Sequence, residues 1–163
     1  MKRSTYLMPL KRRREKKTNY KRRLGLLKSE KTRLVIRKRL SNISVQFINF
    51  KREGDQTIAA AFSSELKKLG WNRTGNIPAS YLTGLLAGKR AKDKKIEEAI
   101  LDLGLQTSTK GSRIYAALKG VLDSGVNIPH SKEILPNEDR IKGKHISKDV
   151  EKQFEDIRKK IGV

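Results

Sequence analysis

Two histidines and several acid pairs are the residues of this sequence whose types could support acid–base or metal chemistry. His130 and His145 stand fifteen positions apart without a carboxylate or cysteine cluster around them, so their spacing assembles neither a metal site nor a nucleophile triad. The pairs Glu97-Glu98 and Glu138-Asp139 lie in charged runs, which are typical of a solvated surface. We therefore predict no catalytic residues, no metal site and no cofactor.

A glycine-flanked segment at residues 84–90, GLLAGKR, superficially suggests a phosphate-binding loop. Such a loop has four residues between its glycines and a serine or threonine after its lysine. Here three residues separate Gly84 from Gly88, and Arg90 follows Lys89. We interpret the two glycines instead as small residues that let a helix pack closely on a sheet.

Positive charge is the strongest signal in the chain. Its 163 residues include 39 lysines and arginines against 17 acids, a formal charge of +22, which repels itself unless a polyanion neutralises it. Residues 1–40 alone hold 17 of these cations and two acids, a net charge of +15. Nucleic acid is the predicted partner, and an anionic membrane surface is the weaker alternative.

Other compositional features narrow the class of protein. The chain has no cysteine, which excludes disulfides and thiolate metal sites. It has no apolar run of about 18 residues, so no membrane-spanning helix is predicted. The first residues lack the apolar stretch of a secretory signal peptide. We expect no membrane partner.

The basic arm is predicted to be helical. Pro9 can open a helix, and residues 10–28 contain good helix formers and no further proline. Triplets at 12–14 and 21–23 would put cations on every face of that helix, which suits insertion between phosphate backbones. Tyr6 and Tyr20 could stack on exposed bases, although packing of Tyr20 in a stripe with Leu24 and Leu27 is about equally favoured.

The remaining elements must position this arm. Residues 33–37, 43–47 and 57–62 have strand patterns with short connections, which favours an antiparallel meander. Residues 99–103 read as a further buried strand. Helices are predicted over 63–69, from Pro78 into the run 89–95, and from a cap at Ser108, Thr109 or Ser112 to Gly125. The pattern predicts an α/β fold: a mixed sheet with an antiparallel three-stranded start plus a further strand, packed by helices.

These elements divide the chain into three predicted regions. Residues 1–30 form the basic arm, residues 31–125 the globular body, and residues 126–163 an irregular and helical C-terminal extension. A final amphipathic helix over residues 148–161 carries an apolar stripe of Val150, Phe154, Ile157 and Ile161. That stripe either docks on the chain's own body or receives a partner.

Composition alone does not separate RNA from DNA, but no helix-turn-helix spacing or zinc-finger pattern is present. Several segments resemble the archaeal type of the large-subunit ribosomal protein family L18, whose eukaryotic relative is called L5. The resemblance covers nearly the whole chain, and the stretch at 75–88 is its most specific part. The similar segments are PLKRRRE at 9–15, TNY at 18–20, RL at 23–24, RLVIRK at 33–38, GNIPASYLTGLLAG at 75–88, AILDLGL at 99–105, KGSR at 110–113 and GVNIPH at 125–130.

The resemblance implies a structural constituent of the large ribosomal subunit in the cytoplasm. It would hold 5S ribosomal RNA in the central protuberance, bridge to 23S ribosomal RNA and touch neighbouring large-subunit proteins, with no role for DNA. At residues 41–42 this chain has Ser-Asn where the family commonly has a basic residue and a histidine, and both can still hydrogen-bond to phosphate or ribose. Two other readings are a separate RNA-binding module, such as an RNA chaperone, and an RNA-modifying enzyme with a basic docking arm.

The residues predicted to contact RNA are basic, aromatic or amide side chains of the arm, the first strand with its turn, and the KGSR segment. They are Lys2, Arg3, Tyr6, Lys11, Arg12, Arg13, Arg14, Lys16, Lys17, Tyr20, Lys21, Arg22, Arg23, Lys28, Arg33, Arg37, Lys38, Arg39, Asn42, Lys110 and Arg113.

Overall fold

The structure, a computed structural model, describes residues 7–162. Its centre is a four-stranded sheet made of β1 (Arg33–Lys38), β2 (Ile43–Asn49), β3 (Gln56–Phe62) and β4 (Ile100–Asp102), in the order β3-β2-β1-β4. The first three strands form an antiparallel meander, and β4 runs parallel to β1. The predicted mixed α/β fold is confirmed.

Alternation along the strands directs one face of the sheet towards an apolar core. Leu34 and Ile36 of β1 lie with Ile43, Val45 and Phe47 of β2 in a buried cluster that the helices cover. The intervening β1 residues, among them Arg33 and Val35, face the opposite side, which we call the outer face. Residues 33–36 are all buried, so the outer face is covered as well.

Two helices, α3 (Ile77–Asp93) and α4 (Arg113–Asp123), pack on the inner face. They approach each other through glycines. A Cβ atom at Gly84 would lie 2.0 Å from the carbonyl oxygen of Ala117, and one at Gly120 would lie 2.1 Å from that of Tyr81. The close approach predicted for the small residues of α3 is therefore made to α4, and the prediction that they pack on the sheet is wrong.

The C-terminal region contains a 3₁₀ helix (Lys132–Ile134), α5 (Glu138–Lys142) and α6 (Lys148–Ile161). The apolar stripe of α6 is buried in a second cluster with residues of α3, and the ring centroids of Phe154 and Tyr81 lie 5.5 Å apart. Of the two alternatives for the stripe, the structure shows docking on the chain's own body.

Another 3₁₀ helix (Ser63–Leu69) connects β3 to the region before α3, and an ion pair fixes it. A guanidinium nitrogen of Arg90 lies 2.6 Å from a carboxylate oxygen of Glu65, whose other oxygen accepts the Phe62 amide at 2.8 Å. Burial opposes ionisation of Glu65, but these hydrogen bonds and the charge of Arg90 outweigh it and lower the pKa of that carboxyl.

Candidate nucleic-acid interface

The basic arm consists of two short helices, α1 (Lys11–Arg14) and α2 (Tyr20–Leu27), so the prediction of one helix over residues 10–28 is wrong. The chain turns between them, with Lys16 in the left-handed region at φ 51°. Asn19 then starts a new helix, because its side-chain oxygen accepts the Arg22 amide. Asn19 is an N-cap residue inside the segment. Helix propensity summed over residues 10–28 does not reveal such a local start, which is why the sequence predicts one continuous helix.

Helix α1 consists entirely of exposed cations. Lys11, Arg12, Arg13 and Arg14 are all exposed, and of their side chains only that of Arg12 makes a hydrogen bond to another described residue, donating from Nε to the Thr18 hydroxyl at 2.9 Å. This bond ties α1 to the turn that follows it. The remaining guanidinium and ammonium groups of α1 point into solvent, where phosphate oxygens can reach them.

Helix α2 lies on the outer face of the sheet and is held there mainly by arginines. An Nη atom of Arg23 lies 2.8 Å from Asp55, and one of Arg22 donates to the Gly104 carbonyl oxygen at 3.3 Å. None of its residues is buried, and Leu24 is 57% exposed. The predicted stripe of Tyr20, Leu24 and Leu27 is therefore wrong for Leu24, while Tyr20 and Leu27 are half-buried.

Beneath α2, arginines and aspartates alternate across the outer face. Arg33 donates to Asp55 at 2.7 Å and to Asp102 at 3.2 Å, and Arg37 donates to Asp102 at 3.1 Å. Together with Arg23 these residues form a series of five alternating charges, which we call the arginine–aspartate network. A buried guanidinium requires such partners, since an unpaired charge in the interior is strongly disfavoured.

This network bears on the predicted RNA contacts of two residues of β1. The side chain of Arg33 is only 4% exposed and is enclosed by both aspartates, so it cannot contact RNA in this fold. Arg37 also donates to the Asp102 carbonyl oxygen at 2.6 Å and is half-buried, so part of its guanidinium is used inside the molecule and its RNA contact stays a prediction. Strand alternation correctly places Arg33 and Arg37 on one face with Val35, but it does not predict that a helix covers that face.

A groove of about 350 Å³ separates the arm from the sheet. Its lining is mostly polar and charged: Arg12 and Lys17 of the arm line it together with the arginine–aspartate network, and Leu26, Val35 and Leu105 are among its few apolar residues. The aspartates of the lining are already paired with arginines, so the exposed cations of the arm are the groups available to phosphate at this groove.

The turn between β1 and β2 forms a separate exposed site. Arg39 and Asn42 are exposed there, whereas the backbone of Lys38 is clamped in both directions by the side-chain amide of Gln106. Arg113 donates to the carbonyl oxygens of Leu40 at 3.2 Å and Gly75 at 2.8 Å. Arg113, predicted as an RNA contact, therefore fixes this turn against the beginning of α3.

The structure thus divides the predicted RNA contacts into groups. Three of them, Lys2, Arg3 and Tyr6, lie outside the described residues. Arg33 is enclosed, and five further residues are half-buried, namely Tyr20, Arg23, Arg37, Lys38 and Arg113. Exposed cations and amides remain at Lys11, Arg12, Arg13, Arg14, Lys16, Lys17, Lys21, Arg22, Lys28, Arg39, Asn42 and Lys110.

Sequence reasoning missed the residues that hold the arm. Asp102 ends the apolar strand Ile100-Leu101, and an acid in such a position signals a buried cationic partner. Asp55 lies in a charged turn and gives no comparable signal.

Within residues 7–162 no cluster of histidine and acidic side chains is arranged to hold a metal ion. None of the helices in that range has the length and hydropathy needed to cross a bilayer.

The sequence of this chain is similar to those of known proteins. The sequence model of a family described as ribosomal large subunit proteins 60S L5 and 50S L18 matches residues 4–98 and 89–131. A large ribosomal subunit protein uL18 from Korarchaeum cryptofilum is 59% identical over 152 residues, which cover 93% of this chain and 78% of that relative. The uL18 proteins of Aeropyrum pernix and Halobacterium salinarum are 55% and 48% identical over 87% of the chain, covering 67% and 78% of those relatives.

Proposed function

The chain belongs to this family of large-subunit ribosomal proteins, and from that premise we propose that it binds 5S ribosomal RNA and helps attach it to 23S ribosomal RNA in the central protuberance. As a member of the family it is a structural constituent of the large ribosomal subunit and not an enzyme, and it is located in the cytoplasm with that subunit. The specific RNA partners are the proposal.

One observation carries the proposal: the cations of α1 are exposed on a helical turn that α2 anchors to a folded body. A net charge of +15 in residues 1–40 is far more than Asp55 and Asp102 neutralise on the outer face. An anchored, uncompensated group of arginines binds phosphate backbones, because each contact releases condensed counterions. The family resemblance supports 5S ribosomal RNA as the strand that carries those phosphates.

We propose a different role for residues 126–163. Because the apolar stripe of α6 is used inside the chain, α6 presents a mixed surface in which Asp149, Glu155 and Asp156 are exposed. Acids repel phosphate, so this surface suits neighbouring ribosomal proteins, or contacts to 23S ribosomal RNA through its lysines, better than 5S ribosomal RNA. Deleting residues 147–163 would remove the Phe154 contacts as well, so surface substitutions on α6 are the better test.

A salt titration tests the electrostatic part. We expect the affinity for a 5S transcript to fall with salt on a log–log slope steeper than about −4, as six or more phosphate contacts would give. The triple variant R12A/R13A/R14A should bind more weakly and have a shallower slope by roughly 2 to 3. The control K67A/K68A/K152A removes the same charge at exposed positions away from the arm. A salt-independent affinity would overturn this account.

Stoichiometry separates the ribosomal role from that of a free RNA chaperone. The protein should sediment with large subunits through a sucrose gradient at one copy per subunit. A chaperone would instead be found substoichiometrically and would exchange off during sedimentation.

A further inference from the structure

A second basic groove lies at the other end of the sheet from the β2–β3 hairpin, beside the start of α4. It measures about 580 Å³ and is lined by four cations, Lys38, Lys110, Arg113 and Arg140, and by one carboxylate, Glu133. Lys38 belongs to β1, Lys110 and Arg113 lie just before and at the start of α4, and Arg140 comes from α5. The C-terminal region therefore completes a basic surface that begins on the body.

The helices α3 and α4 run in the same direction, because Gly84 faces Ala117 and Gly88 faces Val121. Their N-termini therefore lie at the same end, and Arg113 joins them by donating to the Gly75 carbonyl oxygen. Each helix carries a partial positive charge at its N-terminus, so the two add to the potential of the nearby cations. Ile77 of α3 and Ser112 of α4 both line the groove.

The cap of α4 is incomplete. In α3 and α6 the side chains of Asn76 and Ser147 accept an amide of the first turn, whereas Ser112, at the same position of α4, makes no such bond. Its hydroxyl oxygen is buried and has no hydrogen-bond partner among the described residues. Amides of a first helical turn have no intrahelical acceptor, so an anion here would supply what the Ser112 side chain does not.

The groove is also held in shape by the backbone. The Gly111 amide donates to the Ile134 carbonyl oxygen at 3.0 Å, which ties the loop before α4 to the 3₁₀ helix of the C-terminal region. Lys110 and Glu133 approach to 3.6 Å, but both side chains are more than 70% exposed, so this pair is weak and can exchange for a stronger anion. Lys110 and Arg140 are left available at the rim.

We propose that this groove binds a backbone phosphate of ribosomal RNA, at the N-terminus of α4 and between Lys110 and Arg140. The proposal rests on the proposed function for the identity of the polyanion and adds a second contact region, remote from the arm. Its chemistry is that of a phosphodiester, and the RNA that supplies it is either the 5S or the large-subunit RNA.

The phosphate chemistry can be tested without RNA. Inorganic phosphate is titrated into the full-length protein at constant ionic strength, and amide shifts are followed by heteronuclear NMR. We expect saturable shifts at residues 112–115, weakened roughly tenfold in apparent affinity by K110A/R140A. Both side chains are exposed and not part of the packed core, so the variant should stay folded. Acetate is the competing anion, and equal shifts with acetate, or none with phosphate, would overturn the proposal.

The RNA source is tested with the same variant and a matched control. K110A/R140A should weaken binding to one of the two RNAs and make its salt slope shallower by roughly 1 to 2. K67A/K68A, which removes the same charge from an exposed part of the Ser63–Leu69 helix, should not. If the wild type binds 5S RNA and K110A/R140A matches the control on both RNAs, the groove proposal fails and the proposed function stands. If the wild type does not bind 5S RNA, the proposed function fails while the phosphate titration still decides the groove.

Discussion

Helices α2 and α6 both come from terminal segments and both dock on the body, but by opposite means. Helix α6 buries Val150, Phe154, Ile157 and Ile161 against α3, whereas α2 buries none of its residues and is held by arginines. Apolar burial is insensitive to salt, and it does not require the residues on the outward face of the helix to make contacts with the body. Ion pairing is screened by salt and can be exchanged for another anion. The attachment of α6 should therefore resist salt, whereas the attachment of α2 should weaken as salt screens its ion pairs.

The sharpest test of this contrast is a truncation in each seam. Phe154 is 2% exposed and touches Tyr81 in the second cluster, so Phe154→Ala should lower the free energy of unfolding by about 3–5 kcal/mol in urea denaturation. Leu24→Ala in α2 removes an exposed side chain and should change it by less than about 0.5 kcal/mol. Comparable losses from both variants would mean that α2 is also attached by apolar burial.

A second test asks how much of the charged seam is structural. Asp102→Asn removes one carboxylate partner from Arg33, which is buried, and from Arg37. Because Arg33 keeps Asp55, we expect a loss of about 2–3 kcal/mol in unfolding free energy, less than for a fully unpaired charge. Glu155→Gln, at an exposed position of α6, is the control and should be nearly neutral. A neutral Asp102→Asn would show that Asp55 alone is a sufficient partner for Arg33.

The difference between these seams also explains what the sequence revealed. The amphipathic helix α6 was predictable, because four apolar residues at helical spacing among charged neighbours indicate one buried face, although the sequence left open what covers that face. The four strands and the helix starting near Pro78 followed from alternation and capping in the same way. The arginine–aspartate network was not predictable, since Arg23, Arg33, Asp55 and Asp102 are separated by long stretches of sequence and meet only through the fold.

The candidate site was predictable to a similar extent. Charge density located the arm, and nine of its cations, from Lys11 to Arg22 and at Lys28, are exposed as RNA contact requires, although Lys17 is paired with Glu15. Periodicity could not reveal that Arg33 and Arg113 are used inside the molecule, because the pattern of a strand or a helix specifies which residues share a face and not what covers that face. The partner of Gly84 likewise depends on the parallel arrangement of α3 and α4.

Salt provides a test that needs no variant. Raising the salt concentration from about 0.1 M to about 1 M shortens the Debye length from about 10 Å to about 3 Å. Hydrogen exchange of the α2 amides should then accelerate several-fold, while that of the α6 amides should stay the same or slow down, because salt does not weaken apolar contacts. If both helices responded alike, the two seams would not differ in kind.

The smallest expected effect comes from the link between the arm and the network. Arg23 and Asp55 are each partly exposed, and solvent screens such pairs, so Arg23→Gln should weaken the docking of α2 by only about 0.2–1 kcal/mol. Hydrogen exchange at the α2 amides is the suitable measurement, because a local change of this size is lost in global unfolding. Arg13→Gln removes the same charge from α1, where the exposed side chain makes no hydrogen bond or salt bridge to another described residue, and should leave α2 unchanged. Faster exchange in both variants would mean that α2 responds to the total charge of the arm and not to Asp55, and the anchoring role of Arg23 would have to be abandoned.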